Sequence, residues 1–336
     1  DSIAHLAKVD RPIRAIDQWT YHTRLYNAAK LVSESENLEI IQLNSFGCGL
    51  DAVTIDQVKE IVERNNKIYT TIKIDEINNL VAARIRIRSL LAVMYKRKIK
   101  KTNKKLLKRT IFTKKMKDQY TILAPQMSPI HFNFLQAAFQ SENYDLEVLE
   151  NVDEDTVNQG LKYVNYDACY PSLLVVGQIM QAIDSGNYNI DRLAVLISQT
   201  GGGCRATNYI AFIRKALRDR GLTQIPVISL NANGMEKNPG FKIYPKLLKK
   251  AMIGLVYGDL LSKVILKTRP YEKEEGQINN LYNKWEKKAI KNVKKGSLRK
   301  LRKDIYSIVE EFDNINLKDI DKTKVGIVGE ILVKFH

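Results

Sequence analysis

The sequence predicts an α/β protein: two lobes built on parallel sheets, with an additional helical segment. Three observations carry this. Short apolar or β-branched runs alternate with helix-period stretches from Leu38 to Leu230. Glycine- or proline-bearing turns stand at many of the joints between them. After Tyr244 the pattern turns helical. Strand–helix alternation of this kind implies parallel strands joined by crossover helices, a doubly wound, Rossmann-like arrangement.

The elements follow in order. Asp17–Ser33 reads as a helix whose start, with Gln18, Trp19, Tyr21, His22 and Arg24, suits packing on a second domain. Leu38–Phe46 is a strand turned by Gly47-Cys48-Gly49, and a helix follows with Thr54 as its N-cap. Lys67–Asp75 alternates and is β-branched, hence a strand. Asn78–Tyr95 is a helix with arginines at 84, 86 and 88. Residues 1–95 therefore form a partial α/β lobe, and the basic stretch 96–117 is a linker.

The second lobe, 118–235, opens with a strand at Thr121–Ala124 and a helix from Pro129 to about Gln140, proline taking its favoured first position. A strand at Tyr144–Leu149 and a short helix at Glu154–Leu161 come next. A helix after Cys169-Tyr-Pro171 runs to Ile183, then a strand spans Leu193–Ser198, a helix Cys204–Arg220 and a strand Pro226–Leu230. Residues 236–322 are helical, with helices at Leu247–Leu266, Gln277–Val293 and Ser297–Phe312. Residues 323–336 read as a strand opening a truncated α/β unit, so both ends are expected to be cuts through a longer chain.

Composition narrows the class. The chain has 336 residues, 44% hydrophobic and 27% charged, as in globular proteins. No apolar run approaches the ~18 residues of a membrane span. Three cysteines do not make a disulfide scaffold, so a reducing, cytoplasmic setting is expected. The net charge of +17 invites a polyanion partner. Much of the excess sits in two lysine-rich runs, Lys96–Lys117 and Lys284–Lys303, with few interleaved aromatics. Base-stacking platforms need that interleaving, which places nucleic acid low among the expected partners.

Each cysteine stands where a strand or loop enters a helix. Cys48 lies between Gly47 and Gly49, Cys169 precedes Tyr170-Pro171, and Cys204 follows Gly201-Gly202-Gly203. In open α/β sheets such loops converge outside the carboxyl ends of the strands. A helix N-terminus offers free N–H groups and positive partial charge, which favour a thiolate. Distant thiolates without a CxxC pair suit an iron–sulfur cluster better than structural zinc. The four histidines show no ligand spacing with them. Three buried free thiols account for the same residues equally well. Gly201–Arg205 lacks the Lys-Ser/Thr of a nucleotide P-loop. Asp167 reads as a helix-capping carboxylate rather than an acid or base, and Gln199 and Arg205 as residues that back the ligands or touch a substrate.

Six stretches carry a resemblance: Gln42–Ala52, Thr71–Glu76, Arg84–Ser89, Tyr120–Met127, Asp167–Pro171 and Ser198–Tyr209. Together they resemble the acyl-CoA dehydratase activase-related proteins, which belong with the 2-hydroxyacyl-CoA dehydratases and double-cubane cluster proteins of anaerobic bacteria. The resemblance implies a [4Fe–4S] or related cluster held by Cys48, Cys169 and Cys204, with Gly47, Gly49, Gly201, Gly202 and Gly203 shaping its loops between the two lobes. It further implies an ATP-dependent activase module that delivers a low-potential electron for a difficult reduction or radical dehydration. The implied partners are that module, an acyl-CoA substrate and, in a homo-oligomer, a second copy of the chain. No membrane is expected. A non-catalytic scaffold that binds an acidic partner or nucleic acid through its basic segments is the competing expectation.

Overall fold

The computed structural model describes residues 3–9, 20–44, 51–74, 80–96, 109–150, 152–165, 168–199, 205–230, 236–323, 325, 326 and 328, with backbone only at Ala52 and Arg205. Among them the α/β alternation resolves into two small parallel sheets. In one, β1 (Ile41–Asn44) pairs with β2 (Thr70–Lys73), Ile41 opposite Thr70. The other has strand order β4-β3-β5-β6, with β3 at Thr121–Ala124, β4 at Leu146–Val148, β5 at Leu193–Ser198 and β6 at Val227–Leu230. The first five residues of β5 are buried, as expected of a strand in a covered parallel sheet.

The helices before β3 are α1 (Thr20–Glu34), α2 (Asp51–Glu63), α3 (Leu80–Lys96) and the single turn α4 (Lys114–Lys117). Between β3 and β6 lie α5 (Pro129–Gln140), α6 (Glu154–Tyr163), α7 (Tyr170–Asp184) and α8 (Tyr209–Asp219). The chain continues with α9 (Pro245–Thr268), α10 (Gln277–Lys295) and α11 (Leu298–Asp313). Among the described residues no helix is long and apolar enough to cross a membrane.

Several sequence expectations change: β2 begins at Thr70 rather than Lys67, and β4 is shorter than Tyr144–Leu149. The first strand starts later than Leu38, whose carbonyl accepts a hydrogen bond from Lys67 Nζ. Thr54 is not an N-cap. It lies inside α2, fully buried, and its Oγ1 donates back to Asp51 O at 2.9 Å while accepting from Gln42 Nε2 at 3.3 Å. The helix expected from Cys204 begins as a 3-10 turn at Arg205–Asn208 and becomes α-helical only at Tyr209. Residues 97–108 of the basic linker, and most of the expected strand Lys324–Phe335, lie outside the described residues.

The chain divides into two compact units that do not follow it consecutively. Unit 1 comprises residues 1–110, 153–181 and 197–237, and unit 2 residues 111–152, 182–196 and 238–336. Unit 1 thus combines stretches from both sides of the basic linker. Part of its core joins Tyr26, Ala29 and Val32 of α1 to Val58, Ile61 and Val62 of α2, with Ile40 below β1. These are i, i+3, i+6 and i, i+3, i+4 positions, one stripe on each helix.

In unit 1, α6 and α7 meet backbone to backbone. A Cβ at Gly177 would lie 1.9 Å from Thr156 O, and one at Gly160 would lie 2.2 Å from Leu173 O. Neither neighbour is a side chain that can swing away. Gly177→Ala is expected to destabilise the protein by ~1–3 kcal/mol through overpacking, read as a lower urea midpoint. An unchanged midpoint would show that the two helices are not docked this closely.

In unit 2, α5, α10 and α11 pack on α9. A polar network is buried with them. Tyr257 Oη donates to Asp304 Oδ2 at 2.6 Å and accepts from Asn292 Nδ2 at 2.9 Å, and Lys300 Nζ reaches Asp304 Oδ1 at 2.6 Å. Burial, with Asp304 as acceptor, pushes the Tyr257 phenol well above its ordinary range, so it keeps its proton and donates.

Candidate cysteine site

The site is built around Cys169, a free and partly exposed thiol directly before α7. Its carbonyl accepts from Ser172 N at 2.9 Å and from Ser172 Oγ at 2.6 Å. Ser172 is fully buried, so the first turn of α7 is pinned to the residue that carries the thiol. Cys169 Sγ lies 3.0 Å from Tyr209 Oη, and Tyr209 is the buried first residue of α8. The thiol therefore sits at the start of α7, against the side-chain hydroxyl of the first residue of α8.

Further bonds tie this corner to α2 and to the end of α6. Asn165 Nδ2 donates to Asp56 Oδ2 at 3.0 Å, Lys215 Nζ to Tyr163 O at 3.0 Å, and Arg218 Nη1 to Glu60 Oε1 at 3.0 Å. A cleft of about 30 Å³ opens beside them, lined by Asp56, Gln57, Glu60, Phe212, Lys215 and Arg218.

α8 is fixed from its other side by a buried charge cluster. Arg214 Nη1 and Nη2 fork onto Glu236 at 2.7 Å each, and Nη2 also donates to Val227 O at 3.0 Å. Arg109 Nη1 approaches the same carboxylate at 3.1 Å. Two-point contact of this kind sets orientation as well as attraction.

Gln199, at the end of β5, is buried and fully used within the protein. Its backbone N–H donates to Leu230 O at 2.9 Å and its Nε2 to Thr207 O at 2.7 Å, while its Oε1 accepts from Ser229 Oγ. It is a positioning residue rather than a substrate contact.

β1 is inverted. Ile41 and Leu43 are 40% and 61% exposed, whereas Gln42 and Asn44 are 5% and 1% exposed. Gln42 is satisfied: Tyr69 Oη donates to its Oε1 at 2.6 Å, and its Nε2 reaches Thr54. Burial pushes the Tyr69 phenol up, and Asp56 and Asp51 add to this, which keeps it a donor. Asn44 is different: among the described residues neither its Nδ2 nor its Oδ1 has a hydrogen-bond partner. A buried carboxamide with both ends unmatched is an exception in folded proteins and demands an explanation. It is the last residue of β1, four before Cys48 in the chain.

Of the residues singled out in the sequence, Cys169 and Gln199 are described, and Arg205 by its backbone alone. Gly47, Cys48, Gly49, Asp167, Gly201, Gly202, Gly203 and Cys204 lie outside the described residues. The described residues flanking two of those stretches, Asn44 and Asp51, and Gln199 and Ala206, belong with Cys169 to unit 1. Among the described residues no group of three or more His, Cys, Asp or Glu is placed to hold a metal ion. Comparison with protein-family models, curated proteins and solved structures returns no match.

Sequence reasoning missed Tyr209, Ser172 and Asn44. The first two stand five residues after Cys204 and three after Cys169, close enough to have been tested as neighbours of the thiols. Asn44 carries a subtler signal: polar residues alternate with apolar ones in Ile41-Gln-Leu-Asn44 immediately before a glycine-flanked cysteine.

Proposed function

We propose that this chain is the iron–sulfur module of a system of the 2-hydroxyacyl-CoA dehydratase/activase type. Cys48, Cys169 and Cys204 hold a [4Fe–4S] or related cluster that takes a low-potential electron from an ATP-dependent activase. The observation that carries the reading is the position of Cys169. It is a free thiol at the mouth of α7, with the Tyr209 hydroxyl 3.0 Å from its sulfur. The donor chemistry fits, because thiolates are the ligands of such clusters and helix N-termini favour them. The orphaned Asn44 amide fits too: a buried donor without a partner, at a strand end, supports a polar or sulfide-bearing guest.

Bound there, a cluster would supply an electron for a hard-to-reduce substrate. The protein's own residues do the rest. Ser172 fixes the carbonyl of Cys169 and with it the sulfur's direction. Tyr209 Oη lies within hydrogen-bond distance of that sulfur; with Cys169 as a cluster thiolate its O–H would donate to the sulfur, which would lower the sulfur's electron density and tune the cluster's potential. Gln199 ties β5 to Thr207 and so fixes both flanks of the Gly201–Cys204 stretch. The cytoplasm is the matching compartment, since it keeps such thiols reduced.

Anaerobic purification, iron and acid-labile sulfide assay, and EPR of the dithionite-reduced protein test this. A brown, EPR-active protein is expected, with most of its iron lost in Cys204→Ala. A colourless protein that cannot be reconstituted, or unchanged iron in Cys204→Ala, would overturn it.

A further inference from the structure

The hairpin of α10 and α11 in unit 2 is charged in an unequal way. One apolar stripe on each helix is buried: Ile278, Trp285, Ala289 and Val293 of α10 and Leu301, Ile308 and Phe312 of α11. At the open end the charges are compensated. Lys284 pairs with Glu311 at 2.6 Å, Trp285 Nε1 donates to the same carboxylate, and Glu286 accepts from Asn133 and Tyr282.

At the closed end, around Gly296-Ser297, no such balance exists. Every charged residue from Lys287 to Lys303 is basic: Lys287, Lys288, Lys291, Lys294 and Lys295 on α10, and Arg299, Lys300, Arg302 and Lys303 on α11. All are exposed. Lys300 pairs with Asp304, and Lys288 lies 4.3 Å from the centre of the Trp285 ring. Among the described residues none of the others has an ion-pair partner.

A general lysine bias does not explain this, because the two ends of one hairpin differ. Helix stability does not explain it either. Lys294 and Lys295 suit the C-terminus of α10, but α11 has no acid in its first turn and carries Arg299 and Lys300 there, where the helix dipole opposes positive charge.

We infer that the α10–α11 corner binds the phosphate backbone of double-stranded nucleic acid without reading its sequence. Charge density selects this partner. A duplex presents one negative charge per ~1.7 Å of its axis. A fully acidic extended peptide presents at most one per ~3.3–3.6 Å. Cations three and four residues apart on a helix are only ~5–6 Å apart, so the denser polyanion neutralises more of them. The scarcity of aromatic platforms, which argues against base recognition, is what backbone contact allows. All the residues involved belong to unit 2, whereas Cys169 belongs to unit 1.

The test is fluorescence anisotropy with a labelled DNA duplex, a duplex RNA arm and a scrambled-sequence duplex, from about 50 to 200 mM salt. Binding of all three is expected, with log K falling against log salt at a slope of about −4 to −5 for some five phosphate contacts. Arg299→Glu/Arg302→Glu is expected to weaken binding at least ~10-fold and flatten the slope by about 2 units. The same double variant removes charge that opposes the dipole, so its melting temperature is expected to stay level or rise. Lys263→Glu/Lys267→Glu, an equal charge change at exposed positions of α9, is expected to leave affinity within about twofold if the corner, not net charge, binds.

The inference is overturned if the wild-type chain ignores duplexes at about 50 mM salt, or if the two double variants weaken binding equally. It also fails if polyglutamate or anionic vesicles bind more tightly than the duplexes.

Discussion

Replacing Arg214 by methionine is expected to destabilise the protein by about 3–5 kcal/mol, the usual result of breaking a buried ion pair from one side. The Arg214 side chain is 6% exposed and its partner Glu236 is 5% exposed. The fork onto Glu236 and the bond to Val227 O connect α8 to β6 and to the segment that follows it. Removing the guanidinium leaves a buried carboxylate with only Arg109, at 3.1 Å, to balance it. Urea titration measures the loss. Arg214→Met combined with Glu236→Gln is expected to recover part of it, because the uncompensated charge is gone. A single-variant loss below about 1 kcal/mol would mean that the pair is solvated and behaves like a surface bridge. Since α8 also carries Tyr209 at its start, the same substitution is expected to loosen the hydroxyl from Cys169.

Asn44→Leu is expected to act in opposite directions on two forms of the protein. The unmatched amide costs the metal-free form about 1–3 kcal/mol, the usual penalty for a buried polar group without a partner. A leucine of similar volume removes that penalty, so the urea midpoint of the metal-free protein is expected to rise. If the amide serves the proposed cluster, anaerobically reconstituted Asn44→Leu retains less iron than the wild type. A lower midpoint would show that Asn44 has a structural partner. A raised midpoint with full iron content would separate it from the site while leaving the cysteines in play.

Much of the architecture was legible because simple patterns dominated locally. Leu193–Ser198 is an unbroken apolar run that ends at a polar residue, and β5 follows it residue for residue. Ser128-Pro129 marks the start of α5 because proline there gives up only an N–H that has no helical partner. Errors came from side chains acting on distant backbone. Lys67 takes the carbonyl of Leu38, a contact across two elements that no local rule encodes. Thr54 resembles a cap by type, yet its hydroxyl bonds back to Asp51 O inside the helix, where Asp51 already occupies the first turn.

The candidate site was legible only through its thiols. Which tyrosine meets Cys169 depends on how α7 and α8 approach each other. Gly160 and Gly177 bring α6 and α7 together on the scale of a backbone contact, and the sequence shows them merely as two glycines. The inverted face of β1 was hidden for a related reason. Alternation fixes which residues share a face, but not which face is covered.

Gln199 has a consequence for the energetics of binding. Its carboxamide holds Thr207 O on one side and Ser229 Oγ on the other, so the chain leaves β5 and rejoins the fold with its separation already set. The entropy of drawing these two flanks together is therefore lost when the protein folds, not when a guest arrives. A Gln199→Leu protein would shift that cost to the binding step. For the proposed cluster, that variant would bind at the added cost of ordering the two flanks, a cost the wild type meets on folding.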